Sequence, residues 1–230
     1  MKWLLILIFL STTLFSYEQV VFVLAKNLDS KKAKLIRYEK IAGKFEQISS
    51  PINVNLGKKG LAWADSKYSN IIKKEGDKKA PAGVFKLSWV YGYENHVKTK
   101  MPYTKSTSKH ICVDDSTSNF YNQVIKTNNK KQFKSYENML LSNETYKYVI
   151  QINYNSSRIA KRGSCIFMHV EDKKKKTTSG CTSMPQKYLK NIVSWLDIDK
   201  KPIIIQIPRN KCEQFRQKYH FLKCNLSLDN

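Results

Sequence analysis

A cysteine, Cys181, stands directly after a glycine, Gly180, and twelve positions after a histidine, His169. A thiol and an imidazole are what nucleophilic acyl transfer needs: the thiolate attacks a carbonyl and the imidazole carries its proton. Gly180 lets a substrate come close to the backbone. The amides of Gly180 and Cys181 are candidate donors to a tetrahedral oxyanion, worth ~3–4 kcal/mol of barrier per donor in other enzymes. Thr178 and Ser179 complete the small-residue run that leads into this pair. The residues alone also admit a plainer reading, a small buried Cys and a satisfied core His.

The elements expected to hold this pair follow from pattern. Ser164–Val170 is β-branched and aromatic and predicts a strand, with His169 on the same face as Cys165 and Phe167. Glu171–Ser179, with its run of lysines, predicts a loop. Beyond Cys181, Ser183 suits an N-cap, Pro185 a first turn, and Leu189, Ile192, Val193 and Leu196 repeat at helical spacing. The thiol is thus expected just ahead of a helix N-terminus, which together with a protonated His lowers a thiol pKa.

The stretch Gly163–Pro185, IFMH followed by TTSGCTSMP, resembles the active-site signature of the YkuD family, the L,D-transpeptidases of peptidoglycan. Three further segments match in order: Asn53–Trp63 (NVNLGKKGLAW), Glu75–Leu87 (EGDKKAPAGVFKL) and Cys112–Asn122 (CVDDSTSNFYN). Many members read Ser-His-Gly-Cys, then an apolar residue and Arg or Asn. Here Ser179 replaces the second His, and Thr182 and Ser183 follow the Cys. The resemblance implies a mainly β domain of two packed or curled mixed sheets, sandwich- or barrel-like, with few short helices. It implies Cys181 as nucleophile, His169 as base, and Thr178, Ser179 and Gly180 as the shaping segment. It implies no metal and no organic cofactor. The reaction implied is acyl transfer on peptidoglycan stem peptides through a thioester, with a neighbouring stem or a wall-anchored protein as acceptor. Two alternatives remain: an L,D-carboxypeptidase using the same site with water as acceptor, and a non-catalytic cationic wall-binding protein. Asp115 and Asn122 are expected to fix a loop that shapes the cleft.

Residues 1–16 have the pattern of a signal peptide: Lys2, the apolar run Trp3–Leu10, and Ser16 at a usable cleavage site. That predicts a periplasmic or secreted protein. Residues 17–208 then form one catalytic domain, with residues 209–230 as a polar tail. The net charge is +23, and removing Lys2 with the leader leaves 23 − 1 = +22. Such charge favours anionic partners. Export excludes nucleic acid, and a Lys-rich solvated surface accounts for much of the excess. No later stretch has transmembrane length.

Export permits disulfides, and five cysteines leave one thiol over. If Cys181 is free, Cys112, Cys165, Cys212 and Cys224 allow three complete pairings. Cys212 with Cys224 is the simplest, while Cys112 and Cys165 also suit small buried apolar positions. Elsewhere, Val20–Leu24, Lys34–Tyr38, Lys44–Ile48, Ile52–Leu56, Val84–Tyr91, Tyr146–Tyr154 and Pro202–Ile207 predict strands, Ala80–Gly83 a turn, and Tyr136–Leu141 a helical turn. His96 and His110 sit in polar stretches without metal-ligand spacing.

Overall fold

A computed structural model describes residues 17–228; the expected leader, residues 1–16, lies outside them. The chain opens with β1 (Gln19–Ala25), buried along its whole length. It carries apolar residues on both faces, as a strand covered on both sides must. β2 (Lys32–Ile41) alternates instead and turns through Ala42 and Gly43, both at positive φ, into the edge strand β3 (Lys44–Gln47). β4 (Ile52–Asn55), β5 (Leu61–Trp63) and the long β6 (Ala80–Gly92) follow, then β7 (Tyr103–Lys105). Next come β8 (His110–Val113), β9 (Gln123–Lys126) and β10 (Glu137–Asn138). β11 (Tyr148–Ile152), β12 (Phe167–Val170) and β13 (Thr182–Met184) lead into helix α1 (Gln186–Trp195). β14 (Ile203–Pro208) and the short α2 (Cys212–Arg216) finish the described chain.

The large sheet runs β1-β14-β6-β11-β12-β13-β4-β2, and β1 also pairs with β2, so the sheet closes on itself as a barrel. Its pairings are mixed: β1–β14 and β12–β13 are parallel, β1–β2, β6–β14 and β11–β12 antiparallel. This is the mainly β, barrel-like architecture expected. Closure leaves few open strand edges. The main core gathers Phe22, Leu35, Leu56, Val90, Ile150, Met168, Met184 and the apolar face of α1. A separate small sheet runs β10-β8-β9. A second apolar cluster joins it to the barrel: Tyr91, Cys112, Met139, Tyr146, Val149, Cys165, Phe167 and Cys181.

Several local expectations give way to pairing. Ala80–Gly83 is strand and not turn, because Ala80–Ala82 pairs in parallel with Leu61–Trp63. Pro81 sits at the strand's start, where a missing N–H is tolerated. Tyr136–Leu141 forms no helical turn; Glu137 and Asn138 pair with Cys112 and Ile111 instead. Ser183 is no N-cap. It lies in β13, opposite His169 on one side and Asn55 on the other, and α1 begins only at Gln186. The segment after residue 208 is no free polar tail. Cys212, Phe215, Tyr219 and Leu222 are buried in the main core, and Lys223 N–H donates to Tyr38 Oη at 3.1 Å.

Candidate active site

Cys181 immediately precedes β13, and His169 lies on the parallel neighbour β12, in register with Ser183. On a pleated strand, residues two apart share a face. Cys181 and Ser183 therefore share the face that carries Phe167 and His169, while Met168 and Met184 point into the barrel core. The sequence-predicted pair is brought together on adjacent strands, and both residues are 7% exposed.

The thiol is held by backbone. Cys181 Sγ accepts from Phe167 N–H at 3.3 Å and donates toward the Cys165 carbonyl at 3.5 Å. No hydrogen bond joins it to His169 among the described residues. Burial pushes the thiol up to about 12; the Glu137 carboxylate adds to that rise, and Phe167 N–H and Lys73 oppose it. His169 moves the other way. Burial lowers it to about 4, against the Val170 carbonyl and Asp172. The resting site is a neutral thiol beside a neutral imidazole, not the thiolate expected from a helix N-terminus and a protonated His. The physical reason is that both groups are buried and α1 starts five residues beyond Cys181.

His169 Nδ1 lies 2.8 Å from the Val170 carbonyl, which accepts a hydrogen bond from Nδ1–H and leaves Nε2 as the base nitrogen. The Tyr146 ring meets His169 edge-on at 5.3 Å and Phe167 at 5.8 Å, and its hydroxyl donates to Glu137 Oε2 at 2.8 Å. Burial, with Asp114 and Glu75 nearby, raises the Glu137 carboxyl to about 7 despite the Tyr146 hydrogen bond. Ser183 Oγ is buried without a partner, one strand across from His169.

Thr178 builds the turn before the thiol. Its hydroxyl donates to the Cys181 carbonyl at 2.6 Å and accepts from Gly180 N–H at 3.1 Å. Gly180 N–H, expected to face an oxyanion, is thus committed to Thr178. Gly180 has φ +146, and a side-chain carbon there would stand 3.0 Å from the Lys79 carbonyl. Ser179 is exposed.

The upstream segments that resemble the family converge on the approach to β12. Glu75 Oε2 accepts from Ser164 Oγ at 2.7 Å and from the Tyr121 hydroxyl. Gly163 N–H donates to Tyr121 Oη at 3.1 Å. Asn122 Oδ1 accepts from Cys165 N–H at 2.9 Å, and its Nδ2 donates to the carbonyls of Tyr154 and Asn155. Cys165, in left-handed conformation, is disulfide-bonded to Cys112. It is therefore no simple apolar filler. Cys212 pairs with Cys224 as expected, and Cys181 is the free thiol. Asp115 accepts from the backbone of Thr117 and Lys134, which holds its carboxyl below the usual range and ties two loops of the small sheet.

Sequence reasoning missed Lys73, Glu137 and Tyr146. Lys73 looks like one lysine of a charged loop, yet it is 2% exposed and bound to Asp77 at 2.7 Å. Lys173–Lys176, by contrast, are exposed as expected, and a groove of about 590 Å³ lies beside the end of β12 between Val170, Lys173–Lys175, Asn143 and Pro185. His96 is exposed, and His110 bonds Thr107. Among the described residues no group of His, Cys, Asp and Glu is arranged to hold a metal ion.

The L,D-transpeptidase catalytic domain, YkuD, matches residues 27–205. The chain belongs to this family. Its members act on peptidoglycan. The structure is similar to that of the helical cell shape determining protein Pgp2 from Campylobacter jejuni, at 16% identity and a TM-score of 0.41, covering 83% of this chain and 48% of that one. It is also similar to Bd1075 from Bdellovibrio bacteriovorus, at 13% identity and a TM-score of 0.41, covering 89% of this chain and 59% of that one. The chain thus spans about half the length of these solved proteins. No curated protein matches it. No helix among the described residues is long and apolar enough to cross a membrane.

Proposed function

We propose that this protein is a cysteine-dependent L,D-transpeptidase acting on peptidoglycan stem peptides, with Cys181 as nucleophile and His169 as base. The observation that carries the reading is the one free thiol among five cysteines, placed on the same sheet face as His169 in a chain of this family. The Cys181 proton passes to His169 Nε2 as sulfur bonds to the carbonyl carbon of the L,D peptide bond, and the carbonyl electron pair moves onto oxygen. Collapse breaks the C–N bond; the leaving D-alanine nitrogen takes the proton from His169 and a thioester remains. An amine from a second stem or a wall-anchored protein then attacks the thioester carbon; a C–N bond forms, the carbon–sulfur bond breaks, and the amine proton passes through His169 to the Cys181 sulfur. Ser183 Oγ, unpaired at rest, belongs to the residue in register with His169 on the adjacent strand. No step calls for a metal or organic cofactor.

The thiol is a thiol at rest, so attack is general-base catalysed and proton transfer accompanies carbon–sulfur bond formation. Export through residues 1–16 to the periplasm or beyond belongs to the same proposal, since the substrate lies there. The catalytic unit extends past the family match to residue 228, because Phe215, Tyr219 and Leu222 are part of its core.

Purified protein incubated with tetrapeptide stems, followed by muropeptide analysis, tests the reading. Cross-linked dimers are expected, and Cys181→Ala should form none. Tripeptides alone would reassign the acceptor to water and make the enzyme an L,D-carboxypeptidase. No change in the stems would point to a non-catalytic wall-binding protein.

A further inference from the structure

Lys73 lies in the loop between β5 and β6, where its N–H donates to the Trp63 carbonyl at 2.8 Å. Its side chain crosses to the active site between two glycines. A side-chain carbon on Gly163 would stand 3.3 Å from the Lys73 stem, at both Cγ and Cε, and one on Gly180 would stand 3.8 Å from Nζ. The ammonium therefore sits beside the residue that precedes the nucleophile. It donates to Asp77 Oδ1 at 2.7 Å and to the Lys74 carbonyl at 2.9 Å. An ammonium has three N–H donors, and these two partners use two of them. Burying a cation at 2% exposure is costly, and one carboxylate at 2.7 Å offsets it only in part.

The site has a use for that charge. Gly180 N–H is tied to Thr178 Oγ1, which leaves the oxyanion short of one expected backbone donor. We propose that Lys73 is a further electrostatic residue of the reaction at Cys181: its buried ammonium, anchored by Asp77 beside Gly180, stabilises negative charge on the sulfur and on the tetrahedral oxygen. It transfers no proton; the thiol proton goes to His169 and the carbonyl electron pair to oxygen, and the fixed positive charge lowers the energy of both anions. The inference rests on Cys181 as the nucleophile. The other ionisable groups around the thiol are His169 on β12, Tyr146 ahead of β11 and Glu137 on β10, with Asp114 and Glu75 beyond Glu137. Of these, Glu137 works against an anion at Cys181 and Lys73 works for it.

The test uses alkylation of Cys181 by iodoacetamide, which needs no peptidoglycan. The other four cysteines are in disulfides, so mass spectrometry assigns the label to one site. At fixed pH between 7 and 9, Lys73→Met should slow alkylation ~10-fold, the effect of one pKa unit on the thiolate fraction. Asp77→Asn, which keeps the ammonium and removes its counter-charge, should speed it. On stem peptides, Lys73→Met should lower kcat with little change in KM. Unchanged alkylation rates in Lys73→Met, with a native thermal melt, would overturn the proposal. If Lys73→Met does not fold, Asp77→Asn decides: a rate at or below wild type overturns it too. Failure of the transpeptidase reading is separate, because it shows in the wild-type protein as stems left unchanged or only trimmed to tripeptides.

Discussion

His169 Nδ1 lies 2.8 Å from the carbonyl oxygen of Val170, the next residue along the same strand. This local bond assigns the imidazole its tautomer without any carboxylate partner and leaves Nε2 unprotonated at rest. With His169 lowered to about 4 and Cys181 raised to about 12, kcat/KM should climb along an acid limb well below pH 6.5 and stay flat through neutrality. A pH–rate profile with an acid limb centred above 6.5 would contradict the neutral resting pair. His169→Ala should cost at least ~10²-fold in kcat, the common scale for a positioned base.

His169 and Glu137 also bear on stability. Between about 4 and the ordinary 6.5, the unfolded chain binds the His169 proton and the folded chain does not, so acidification across that window destabilises. Glu137 is raised from 4.5 to about 7, so the folded chain binds its proton first and acidification across that window stabilises. The two contributions oppose. Glu137→Gln removes the second, and urea melts of this variant between pH 7 and pH 4 should lose stability more steeply than wild type.

The Cys112–Cys165 bridge, with a sequence separation of 53, joins the small sheet to the residue two before β12. In the chain-entropy description a loop of that length is worth ~4 kcal/mol, against ~3 kcal/mol for the 12-residue separation of Cys212 and Cys224. Replacing Cys112 and Cys165 together by Ala should lower stability by more than replacing the other pair. It should also lower turnover, because Cys165 supplies the carbonyl that holds the resting thiol. Parallel denaturant titrations and stem-peptide assays measure both.

Thr178→Val keeps the shape of the turn and removes its hydroxyl, leaving Gly180 N–H and the Cys181 carbonyl without their partner. A buried polar group left unpaired costs ~1–3 kcal/mol. The variant should therefore melt lower and turn over more slowly, while Thr178→Ser should retain most of both. Equal behaviour of the two variants would mean that the hydroxyl does not hold the turn.

Neutralising Lys173–Lys176 should weaken use of acidic stem peptides modestly, chiefly at low salt. These side chains are exposed, and their field is screened over ~8–10 Å at ordinary ionic strength. Assays at two salt concentrations should show KM rising at the lower one, with kcat nearly unchanged.

The strands with the clearest patterns, apolar runs or alternation, were legible in the chain: β1, β11 and β14 stand where Val20–Leu24, Tyr146–Tyr154 and Pro202–Ile207 placed them. So was the loop that separates His169 from Cys181. β10 and β13 were not, because two or three residues carry no period and their state is set by Cys112 in one case and by β12 and Asn55 in the other. Charge burial was equally hidden. Lys73 stands among lysines, and what makes it interior is the space beside Gly163 and Gly180, far away in sequence. The cysteine arithmetic left Cys112 and Cys165 open, since only the fold brings their Cα atoms to 5.9 Å.

β1 lies between β2, its near neighbour in sequence, and β14, which arrives from the far end of the described chain. The first strand of the barrel is therefore finished by the last. Until β14 docks, β1 and β6 each present an open edge, and the segment that follows β14 cannot cover Trp63 and Tyr68 with Phe215. Such long-range closure makes folding slow and leaves partly built chains prone to edge-to-edge association. A chain cut before β14 retains every catalytic candidate and has no barrel in which to hold them.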